Sequence, residues 1–90
     1  MSGPFSGMDI GAVRTMSSQL TAKAGEIRTL MQQLTSQLNN TQWVGADRER
    51  FVGDWQSQHC AALNNVISGL EEAAARANKN ADEQEATSNS

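Results

Sequence analysis

His59 and Cys60 are the one histidine and the one cysteine of this 90-residue chain, and a thiol beside an imidazole could form an activated nucleophile. That chemistry needs the base within hydrogen-bond reach of the sulfur. Neighbouring residues on a helix point about 100° apart, so these two cannot form the dyad. They also fall short of the three or four ligands that zinc takes. Glu71, Glu72, Asp82, Glu83 and Glu85 read as solvated helix surface and tail, without a pocket that would tune them for acid–base work. The glycines never show the spacing of a phosphate-cradling loop. The expectation is a protein without catalysis, metal, cofactor or small-molecule substrate.

Charge narrows the partners. Ten acidic against seven basic residues leave a net charge of −3, and the basic residues are scattered. A nucleic-acid partner would need a basic patch, and a membrane-surface helix would want a cationic polar face. Neither is present. One cysteine provides no internal disulfide framework, so either redox compartment suits the chain. The opening residues carry no basic-then-apolar signal peptide. No stretch approaches the roughly 18 consecutive apolar residues of a membrane span. A soluble cytoplasmic protein is the plain expectation, with export by a route that reads no N-terminal signal left open.

The elements that would position any functional residue are two long helices. Residues 1–8 form a Gly/Ser/Pro arm, and Asp9 is a good N-cap, with Ser6 and Asp9 a weaker capping-box match. Helix one is expected over about 9–39, some 45 Å long. Val13, Leu20, Ile27 and Leu34 recur at steps of seven. Ile10, Ala24, Met31 and Leu38 form a flanking row interrupted by Ser17, with Met16 and Leu30 filling the gap. Turn-forming Asn39-Asn40-Thr41-Gln42 leads into the bend, taken as 40–45.

Helix two is expected over about 45–80. Asp47 and Glu49 in its first turn complement the helix dipole, and Glu72 and Arg76 have the spacing of an i,i+4 ion pair. Its apolar face includes Phe51, Val52, Trp55, Leu63, Val66, Ile67 and Leu70. Residues 82–90 read as a disordered polar tail. The fold class is therefore all-α: one domain over 1–90, an antiparallel two-helix hairpin. Its three apolar rows exceed what one partner helix can cover, and so short a chain buries a modest fraction of its surface. A second chain is expected, pairing two hairpins into a four-helix bundle. The core and dimer stripe is Val13, Leu20, Ile27, Leu34, Leu38, Leu63, Val66 and Leu70.

Trp43-Val44-Gly45 sits almost at the midpoint, at the bend. Gly45 permits a backbone conformation or a close approach that a Cβ would obstruct, and Trp43 can cover the open end of the helix pair. Phe51 and Trp55 are an i,i+4 aromatic pair near that end. They serve core packing or, as the functional alternative, a candidate recognition surface.

These residues together resemble the WXG proteins, the small early-secreted-antigen-like substrates of type VII (ESX) secretion systems. The likeness is carried by Trp43-X-Gly45 at the bend and by Phe5-Ser-Gly-Met-Asp9 with Val13-Arg14, similar to the opening of actinobacterial members. Trp43-Val-Gly-Ala-Asp47 followed by Phe51 and Trp55, and Asn80-Ala-Asp-Glu-Gln84 near the end, add to it. The resemblance implies a homodimer or a heterodimer with a paralogous WXG-type chain. It also implies export through the type VII machinery without a cleaved signal, with Trp43 and Gly45 shaping the bend and a surface for that machinery. One departure bears on this. The family's export signal is Tyr-x-x-x-Asp/Glu after helix two, and this chain has no tyrosine. Either a partner supplies the signal, or the protein is exported differently or stays in the cytoplasm. The alternative function is a cytoplasmic chaperone or targeting partner for a larger type VII-exported toxin.

Overall fold

Helix α1 runs Ile10–Asn40, helix α2 Ala46–Asp54, a π-helical turn Trp55–His59, and helix α3 Cys60–Asn89. This computed structural model describes residues 7–89. Ser6, Phe5 and the rest of the arm before them lie outside the described residues. α2, the π turn and α3 follow one another without a break, so the chain is an antiparallel two-helix hairpin. It measures 67 × 18 × 17 Å, and its length matches the roughly 66 Å expected of the second rod at 1.5 Å per residue.

The start of α1 is set by Asp9, whose carboxylate accepts the Ala12 N–H at 2.9 Å, satisfying one of the orphan donors of the first turn. The end is set at Thr41. Its backbone is extended, its N–H closes a tight turn on the Leu38 carbonyl, and its hydroxyl donates to Gln37 O at 2.6 Å. α2 begins after Gly45, which has no side chain to cap it; Asp47 and Glu49 occupy the first turn instead.

The seam between α1 and α3 differs from the expected one. The buried residues are Ser17 and Ala24 on α1 and Ile67, Ala74 and Ala81 on α3. The row that Ser17 was expected to interrupt, Ile10-Ser17-Ala24-Met31-Leu38, is the inner line, facing Cys60-Ile67-Ala74-Ala81. Val13, Leu20, Ile27, Leu38, Leu63 and Leu70 are only half-buried, while Leu34 and Val66 are 49% and 50% exposed. The reason is steric. Small residues let two helix backbones approach closely, and here Ser17 Oγ reaches across to the Ala74 carbonyl at 2.8 Å. Large side chains must then splay to the flanks.

α3 also outruns its expected end. Helix continues through residues 82–89, where a disordered polar tail was expected. Arg14 reaches this stretch from α1, meeting Asp82 at 2.8 Å and Glu85 at 2.5 Å. The expected Glu72–Arg76 pair does not form. Arg28 instead pairs across the hairpin with Glu71 at 3.4 Å.

Candidate interaction surface

Helical phase gives the hairpin two unlike faces. Residues three beyond the seam rotate about 60° to one side on both antiparallel helices, and residues four beyond rotate about 40° to the other. The first set is Val13, Leu20, Ile27 and Leu34 with Leu63, Leu70 and Ala77, bordered by a mixed row of the apolar Met16, Leu30, Val66 and Ala73 and the polar Lys23, Gln37, His59 and Asn80. The second set is Arg14, Thr21, Arg28 and Thr35 with Asn64, Glu71, Asn78 and Glu85. One face is thus apolar and the other carries the cross-hairpin ion pairs.

The apolar face spans about 31 Å from Val13 to Leu34 along α1. Met16, Leu30, Leu34 and Val66 on it are all about half exposed. Exposed single hydrophobic residues are ordinary on a protein surface, but a contiguous stripe is the mark of an interaction site. The expected stripe residues are brought together here, as the two walls of one face rather than as the centre of the seam. Leu38, at the bend end, belongs to the seam.

At the bend, Gly45 has φ 129° and ψ −179°, a region of backbone space open essentially to glycine. A Cβ there would meet nothing within 4 Å. Of the two expected reasons for glycine, conformation is therefore the one that applies. Trp43 is 37% exposed and packs against Phe51, ring centroids 5.5 Å apart and tilted by 55°. It leans on α2 more than it plugs the end of the pair. Val44 is 92% exposed at the tip.

The aromatic pair on the second rod splits. Phe51 stays 49% exposed under Trp43, while Trp55 is half-buried and donates its indole N–H to Thr35 Oγ1 at 2.8 Å. The Thr35 hydroxyl in turn donates to Met31 O at 2.8 Å, so it serves as acceptor and donor at once. Leu34, Leu38, Phe51 and Trp55 line an open apolar depression of about 120 Å³.

The π turn produces this arrangement. Cys60 N–H bonds to Trp55 O, five residues back, which adds one residue to the turn. Continuing the seam of α3 backwards at steps of seven would land on Gly53. The extra residue puts Val52 there instead, and Arg48 and Val52 of α2 form one half-buried side with Trp55 of the π turn. The sequence carries a trace of this, because Val52 and Cys60 are eight apart. His59 is exposed, with its ring 6.2 Å from that of Trp55. Cys60 is half-buried at an open groove beside Met31, Thr35 and Ser36.

Among the described residues no helix is long and apolar enough to cross a membrane. The chain matches no family model, no curated protein and no solved structure.

Proposed function

We propose that this chain is a non-enzymatic, dimeric substrate or adaptor of a type VII, ESX-like secretion system, acting through protein–protein contact. The observation that carries the proposal is the one-sided apolar face of a hairpin whose bend is Trp43-Val44-Gly45. A hairpin with one wet, ion-paired face and one apolar face is half of a four-helix bundle. The missing half is a second copy or a paralogous WXG-type chain. The bend end, with Trp43 packed on Phe51 and the exposed Val44 at the tip, is the surface offered to the secretion machinery.

Deleting the core ATPase of the secretion system in the producing bacterium tests export. Extracellular protein should vanish while the intracellular level holds or rises; unchanged extracellular protein would rule out that route. Solution mass of the chain purified alone tests pairing. A folded dimer supports self-pairing, and a poorly folded monomer that becomes helical with a paralogue supports the mixed dimer.

The lack of tyrosine favours one second reading, a cytoplasmic chaperone or targeting partner for a larger exported toxin with a similar helical region. Co-expression with candidate toxins separates the two. Recovery of self-dimer alone would dispose of the chaperone.

A further inference from the structure

The two ends of the hairpin are fastened by different chemistry. At the bend end, among the described residues, no ion pair joins the arms. The fastening there is the chain connection itself, the Trp43–Phe51 ring contact, and the neutral hydrogen bond from Trp55 to Thr35. At the open end the last buried apolar residue is Ala81. Beyond it the sequence is Asp-Glu-Gln-Glu-Ala-Thr-Ser, in which Ala86 is exposed and Gln84 half-buried. Such a segment has low apolar content and would be expected to fray at a helix terminus. It is helical nonetheless.

We propose that Arg14 is a releasable ionic latch that holds residues 82–89 in the helical hairpin, so that screening of charge frees this segment while the bend end stays closed. The guanidinium reaches two carboxylates one helical turn apart, Asp82 at 2.8 Å and Glu85 at 2.5 Å. One planar fork thereby ties down the turn between them. The contact is open to solvent, with the Arg14, Asp82 and Glu85 side chains 38%, 66% and 51% exposed, so ions reach it freely. Arginine is charged throughout the ordinary pH range, and Glu85 and then Asp82 raise its pKa further, so screening by salt, not loss of a proton, is what loosens the contact. No buried apolar side chain beyond Ala81 replaces it among the described residues.

Residue-resolved amide hydrogen exchange on the full chain tests this at roughly 20 mM and roughly 500 mM NaCl, where the screening length falls several-fold. In the wild type, high salt should speed exchange of the amides of Glu83 to Ser88 by about three- to tenfold, a range set by the modest strength of exposed ion pairs. Amides of Asn64 to Ala74 should not move. Arg14→Gln should exchange at the fast rate at both salt levels, and Arg14→Lys, which keeps charge but loses the fork, should fall between. Salt-independent protection of Glu83 to Ser88 in the wild type would overturn the proposal, as would equal protection in Arg14→Gln. A segment already unprotected at low salt would overturn it too.

Discussion

The indole N–H of Trp55 and the hydroxyl of Thr35 meet at 2.8 Å across the two arms of the hairpin, near its bend. Thr35 passes the bond on to the Met31 carbonyl, so the tryptophan is anchored to the backbone of the opposite helix through one hydroxyl. Thr35→Val preserves shape and leaves the N–H unpaired in a half-buried place. It should cost about 1–2 kcal/mol, measured by chemical denaturation, while Thr35→Ser should restore most of it. Equal stability of the Val and Ser variants would show that the bond contributes nothing.

Ser17 tests whether closeness or hydrophobicity governs the seam. Ser17→Leu would look favourable on any apolar scale, yet it places a large side chain where the helices nearly touch. A loss of about 1–3 kcal/mol is expected from overpacking, read as a lower denaturation midpoint. Ser17→Ala should change stability by less than about 1 kcal/mol, since the lost bond goes to an already bonded helical carbonyl. A leucine variant more stable than the parent would mean that the close approach has been misjudged.

Gly45 holds its place by backbone angle alone, because space around it is open. Gly45→Ala should therefore lose about 1–3 kcal/mol with helix content nearly unchanged. Circular dichroism and thermal melting check the two halves of that statement. An alanine variant that melts with the wild type would place the strain elsewhere in the bend.

Leu34 separates pairing from folding. It is 49% exposed in the hairpin, so Leu34→Asp places a charge on the apolar face without burying it in the seam. If the hairpins pair as proposed, the expected result is a helical chain of half the solution mass, because the charge would be buried only in the bundle. Unchanged dimer mass would put the partner on some other face.

The helices, their antiparallel pairing and the bend were legible because each rests on local signals. These are heptad spacing, a capping Asp9, turn-forming asparagines, and a glycine between two apolar runs. The inner line was harder to see. Ranking residues by hydrophobicity puts Val13, Leu20, Ile27 and Leu34 at the centre, whereas close packing chose Ser17 and Ala24. The polar face of the candidate surface was hidden for a related reason: Arg14 and Arg28 find carboxylates some seventy and forty residues away, and no local pattern marks such a pair. Helix through residues 82–89 is not legible in the sequence, because composition carries no trace of that cross-arm contact. The extra residue of the π turn left only a spacing of eight where seven was the rule.

That extra residue is taken up within one wide turn, so the two halves of the second rod keep a common facing despite a spacing of eight. A one-residue deletion between Gln56 and Gln58 would convert the turn to ordinary helix and leave Val52 seven residues before Cys60, still in line with the seam. The stem from Ile67 to Ala81 would keep its partners. Trp43, Val44 and Phe51 thus keep their facing relative to the arms with the extra residue or without it, as a pleat takes up cloth without turning the hem.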